Sequence, residues 1–89
     1  MKIKRNAVAG TLESSDLLVT VAPGSNGREI IIKSVVAAQY HNVILKLAND
    51  VLDEYGISDI YLEIEDRGAL DFAIRARLET ALLRAGGDL

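Results

Sequence analysis

The sequence contains no cysteine and no tryptophan, one phenylalanine, one proline and one histidine. Without cysteine there are no disulfides, no thiolate metal sites and no thiol nucleophile. With so few aromatics, the core is expected to be aliphatic, built from Leu, Ile, Val and Ala. Such a core offers no aromatic platform for stacking bases. Basic charge is also scarce. The net charge is −3 and the pI about 5.0, whereas phosphate backbones demand a basic face. The only cationic cluster, Lys2, Lys4 and Arg5, reads as a solvated end, so nucleic acid is not expected as a partner. No apolar run nears the ~18 residues of a membrane span. No apolar h-region of ~7–15 residues follows the basic start. The expectation is a cytoplasmic chain with no membrane attachment. At 89 residues it should form one domain, residues 1–89.

What remains alternates apolar runs with turn signals. Residues 7–12 make a weak strand candidate, small-residued and interrupted by Gly10. Residues 17–21 make a stronger one. Between them Glu13-Ser14-Ser15-Asp16 has hairpin-turn composition, which puts Ser14 on an exposed loop tip. Pro23-Gly24-Ser25-Asn26-Gly27 reads as a second hairpin turn. The apolar run 29–33 after it reads as a central strand. Ser34 resembles an N-cap, and a helix is predicted over 35–55. Its buried stripe would be Val36, Tyr40, Val43, Ile44, Leu47, Val51 and Tyr55, and Gly56 is its C′ residue. Ile60, Leu62 and Ile64 alternate with Tyr61, Glu63 and Glu65 as in a strand with one buried face. The length of the 30–64 path suits a crossover between parallel strands.

After Asp66-Arg67-Gly68 a second helix is expected. Its buried stripe would be Leu70, Ala73, Ile74, Leu78, Ala81, Leu82 and Ala85, its surface pairs Asp71–Arg75 and Arg75–Glu79, and its end Gly86-Gly87. Two helices with one apolar face each must cover the same side of a sheet. The fold class is therefore α+β: a two-layer sandwich in the order β-β-β-α-β-α, with a small mixed sheet of about four strands and both helices on one face.

Catalytic chemistry is thin. His41 stands on the first helix, and no Gly-x-Ser-x-Gly elbow surrounds any serine. A surface histidine is a better reading of His41 than a partner of Ser14. Glu63, Glu65 and Asp66 are close in sequence, but a solvated strand face with a turn aspartate explains them better than a cation site, so no metal ligands are assigned. The glycines at 24 and 27 lack the Gly-Lys-Ser/Thr of a phosphate loop. Ser14 has no neighbouring base and is not a self-activating nucleophile. It can instead be modified by another enzyme, with Glu13 and Asp16 offering negative charge to a basic transferase.

The block Ala7-Val8-Ala9-Gly10-Thr11-Leu12-Glu13-Ser14-Ser15-Asp16, followed by Val19-Thr20-Val21-Ala22-Pro23, resembles the start of the citrate lyase acyl carrier proteins, the gamma subunits of that complex. Asp66-Arg67-Gly68-Ala69-Leu70-Asp71 and Arg75-Ala76-Arg77-Leu78-Glu79 resemble the family's other signature. The resemblance implies that Ser14 carries a phosphodiester-linked 2′-(5″-phosphoribosyl)-3′-dephospho-coenzyme A arm, placed there by a prosthetic-group transferase. It implies a non-catalytic carrier whose arm thiol bears an acetyl or citryl thioester. The expected partners are the alpha acyl transferase and the beta citryl lyase, which together cleave citrate to oxaloacetate and acetate. Two alternatives stay open: the carrier of a malonate-decarboxylase-type complex, and a non-catalytic protein-interaction module.

Overall fold

A computed structural model describes residues 1–35 and 38–87. The elements follow the expected order: β1 (Ala7–Gly10), β2 (Leu17–Ala22), β3 (Arg28–Ser34), α1 (Ala38–Glu54), β4 (Ile60–Asp66) and α2 (Asp71–Gly86). The four strands form one sheet in the order β1-β2-β4-β3. The β1/β2 and β2/β4 pairs are antiparallel, and β3/β4 is parallel as the crossover length predicted.

Period-two alternation builds the core. Leu17, Val19 and Val21 of β2 and Ile60, Leu62 and Ile64 of β4 are all sealed from solvent, in a register that sets Val19 against Ile64 and Val21 against Leu62. Tyr61, Glu63 and Glu65 take the opposite, partly exposed face. Over the buried face α2 packs on β1 and β2, and α1 on β3, with the two helices in contact. The result is the expected two-layer α+β arrangement with both helices on one face. From α2, Ile74, Leu78, Ala81, Leu82 and Ala85 enter the core. Burying a leucine there contributes ~1.5–3 kcal/mol.

Several expectations need correcting. The 29–33 run is an edge strand, not a central one, because β4 inserts between β2 and β3. Residues 23–27 are consequently no hairpin. The loop crosses the start of β4, held by Gly27 N–H to Asp59 Oδ1 (2.8 Å) and Ile60 N–H to the Gly27 carbonyl (3.1 Å). A Cβ at Gly24 would lie 2.6 Å from the Ile60 nitrogen, so only glycine allows that crossing.

Ser34 is not an N-cap. It ends β3, and its hydroxyl donates to the buried Asp66 carboxylate (2.9 Å). The other Asp66 oxygen accepts from the Ala69 N–H (2.9 Å) and shapes the turn into α2. In α1 the buried positions are Ile44, Ala48, Val51 and Leu52, so the stripe is rotated from the expected one. Val43 is exposed, and Tyr40, Leu47 and Tyr55 lie partly buried at its margin. Val36, assigned to that stripe from the periodicity, lies outside the described residues. The helix ends as expected at Gly56 (φ 64°). The Gly56 N–H donates to the Asp53 carbonyl and the Ile57 N–H to that of Leu52, the paired bonds of a Schellman cap.

In α2, Leu70 is an exposed N-cap residue and not part of the stripe. Arg75 pairs with Glu79 (3.3 Å) and with Glu54 of α1. Asp71 accepts from the Tyr40 hydroxyl (3.1 Å) instead of pairing with Arg75.

Candidate functional site: the serine bend

Ser14 sits where the sequence put it, on the exposed turn between β1 and β2. Local chemistry makes the bend stiff. Gly10 closes β1 at φ 93°, and a Cβ there would fall 1.9 Å from the Leu17 carbonyl oxygen. The Thr11 N–H donates to that same carbonyl (3.0 Å), and the Asp16 N–H to Glu13 (3.2 Å). Ser15 takes a left-handed conformation (φ 65°), uncommon for a residue with a side chain. Its N–H donates to the Arg67 carbonyl (2.9 Å), while the Arg67 N–H donates to the Asp16 carbonyl (2.9 Å). Those two bonds fasten the bend to the β4–α2 turn.

Asp16 is the hub. Oδ1 accepts from the Leu17 N–H (2.8 Å) and Arg77 Nε (3.1 Å). Oδ2 accepts from the Thr11 hydroxyl (2.7 Å) and Arg77 Nη2 (2.9 Å). A bidentate guanidinium and two further donors stabilise the charged form, so the carboxyl is lowered from 3.8 to about 2, with the Arg77 hydrogen bonds as the main cause. Thr11 Oγ1 in turn accepts from the Glu13 N–H (3.2 Å). The backbone of Glu13, Ser15 and Asp16 is thus tied down, while the exposed Ser14 and Ser15 hydroxyls make no hydrogen bond to another described residue.

This changes the electrostatic expectation. Asp16 is matched by Arg77, leaving Glu13 as the exposed acid beside Ser14. His41 is exposed on α1 and does not border the bend. Glu63 and Glu65 face away from Asp66, and among the described residues no cluster of His, Asp or Glu is placed to hold a metal ion.

Beside the bend lies an open groove of about 480 Å³. Residues 13–16 form one wall. Phe72, Ala73, Ala76, Arg77 and Thr80 of α2 form the other. Arg77 and Phe72 were not singled out from sequence. Arg77 stands in the second signature block, but its partner is 61 residues away. Phe72 falls off the buried stripe of α2, and nothing local sets it apart from Ala76 and Leu83, which do the same.

Comparison with known proteins bears on this geometry. The family model described as "ACP: Malonate decarboxylase delta subunit (MdcD)" matches residues 4–85. The citrate lyase acyl carrier protein of Albidiferax ferrireducens is 53% identical over 90 residues, covering all of this chain and 92% of the relative. That of Halothermothrix orenii is 48% identical over 85 residues, covering 96% and 90%. The chain belongs to the citrate lyase acyl carrier protein family. Its fold is also that of a chain in a Pseudomonas malonate decarboxylase hetero-tetramer in complex with malonate, with TM-score 0.79, 24% identity, and coverage of 97% and 93%. The first of the two blocks quoted from the sequence is the serine bend, and the second runs from the end of β4 through the first half of α2, so the Asp16–Arg77 pair joins the two in space. Among the described residues no helix is long and apolar enough to cross a membrane.

Proposed function

We propose that residues 1–89 form a single carrier domain, the acyl carrier of a citrate lyase complex, and that Ser14 Oγ is the attachment point of its arm. The observation that carries this reading is the contrast at the bend. The backbone on both sides of Ser14 is fixed, with the Thr11 and Asp16 side chains locked to each other, while the Ser14 hydroxyl is exposed and uncommitted. A transferase needs a hydroxyl it can reach, on a backbone that does not yield when gripped. The donor set fits the group: an alcohol oxygen suited to a phosphodiester, beside a groove open to solvent.

The group is a 2′-(5″-phosphoribosyl)-3′-dephospho-coenzyme A arm. It supplies the thiol that this cysteine-free chain lacks, on which acetyl and citryl groups ride as thioesters while citrate is cleaved to oxaloacetate and acetate. The chain contributes attachment, reach and docking, with no acid–base work of its own. A tether raises the local concentration of its cargo at each partner site. The partners are the alpha acyl transferase, the beta citryl lyase and the prosthetic-group transferase, all in the cytoplasm.

A malonate-decarboxylase-type complex is the second reading, supported by the family model's description and the shared fold. Relatives at 48–53% identity favour citrate lyase. Incubation with transferase and arm precursor tests the attachment by intact mass. Wild type and Ser15→Ala should gain the arm and Ser14→Ala should not; loading of Ser14→Ala would overturn the assignment. Acyl exchange with citrate lyase alpha subunit, set against the malonate decarboxylase counterpart, separates the two complexes.

A further inference from the structure

The groove beside the bend has an unexplained wall. Phe72 is the chain's only phenylalanine, and 73% of it is exposed. The three tyrosines are each partly buried with their hydroxyls hydrogen-bonded, and the exposed His41 lies outside the groove, so Phe72 is the one ring presented to the groove. It begins a stripe with Ala76 and Thr80, at i, i+4 and i+8 of α2, running ~12 Å along the helix. Ala73 and Ala76 keep the floor low. Thr80 donates its hydroxyl to the Ala76 carbonyl (2.9 Å), leaving its oxygen able to accept. Opposite stands Ser14 itself.

We propose that this groove is the resting site of the adenine nucleotide of the arm, with the purine stacked on Phe72. This rests on the attachment reading above and goes beyond it. Three features of the groove favour this occupant. First, Ser14 lines it, so a group tethered there starts inside it. Second, its volume of about 480 Å³ lies in the range of small-ligand sites, and an exposed ring accepts any base by stacking. Third, the charge suits the root of the arm. Arg77, 42% exposed, neutralises Asp16, so of the two acids lining the groove only Glu13 stays bare beside a phosphodiester leaving Ser14. Tethering also relaxes the affinity required. A short tether supplies on the order of millimolar effective concentration, so a contact with a millimolar dissociation constant is already about half occupied. A site that weak holds the arm against the carrier between reactions and releases it readily.

The test uses the intact chain in amide NMR, loaded and unloaded, with loading measured separately by mass. Loading should shift amides in the bend and also those of Phe72, Ala73, Ala76 and Thr80, with purine-to-Phe72 ring contacts. Phe72→Ala should abolish the α2 shifts and keep those of the bend, and Ala76→Leu, which fills the floor, should do the same. Independently, free 3′-dephospho-coenzyme A added at millimolar concentration to Ser14→Ala should perturb the same α2 amides, at least fivefold more weakly once Phe72→Ala is added. Shifts confined to residues 13–15 in the loaded chain, or a free-probe titration unaffected by Phe72→Ala, would overturn the groove. A mass that shows no arm on Ser14 would instead overturn the attachment on which it rests.

Discussion

Asp16→Asn isolates the interaction that holds the bend to α2. The carboxylate takes four donors, two of them from Arg77, and titrates at about 2 in place of 3.8. At ~1.36 kcal/mol per pH unit this displacement sets a ceiling of ~2.4 kcal/mol. Asp16 is 16% exposed but Arg77 is 42% exposed, so solvent screens the pair and ~1–1.5 kcal/mol is the expected value. For a domain this short, that corresponds to ~4–8 °C of melting temperature per kcal/mol. The sign follows from the lowered pKa. The contribution is complete above 3.8, where the unfolded carboxyl is ionised, and disappears as pH falls through about 2. Urea denaturation of wild type and Asp16→Asn should therefore give a gap of ~1–1.5 kcal/mol at pH 7 that closes between pH 4 and pH 2. A gap that stays constant to pH 2, or that is absent at pH 7, would refute the role assigned to Asp16.

Other perturbations separate the bend from the core. Ser14→Ala should leave stability within about ±0.5 kcal/mol, whereas Leu78→Ala, sealed under the sheet, should cost ~2–5 kcal/mol; equal losses in thermal melts would contradict the placement of both. Gly24→Ala forces a Cβ to 2.6 Å from the Ile60 nitrogen and should cost ~1–3 kcal/mol, with faster amide exchange at the start of β4. Phe72→Ala should be nearly neutral for stability because the ring is largely exposed, and an unchanged denaturation midpoint is the check.

Local signals carried much of this fold. The alternation of residues 60–65, the glycine at 56 and the small-residue block before Ser14 each specify backbone conformation within a few residues, and each element formed where it was expected. Long-range pairing did not reveal itself. Pro-Gly-Ser-Asn-Gly turns a chain equally well into a hairpin or across a neighbouring strand, so the insertion of β4 between β2 and β3 had no local trace. An unbroken Ile30-Ile31-Ile32 run suggests a central strand, yet Ile31 sits opposite Glu63 on the open face of an edge strand. The helix stripe was misphased because Ala48 is small enough to be discounted, although it is fully buried. The position of Ser14 was legible from turn chemistry. The Asp16–Arg77 lock was not, because it joins residues brought together only when α2 packs against the β1–β2 end of the sheet.

The central claim is that one hydroxyl, Ser14 Oγ, is the chain's covalent handle. Protein purified from its native host should carry the mass of a phosphoribosyl dephospho-coenzyme A arm, and fragmentation of the tryptic peptide 6–28 should place that mass on Ser14, not on Ser15 or Ser25. An active complex whose carrier has an unmodified residue 14, or bears the arm elsewhere, would contradict the account.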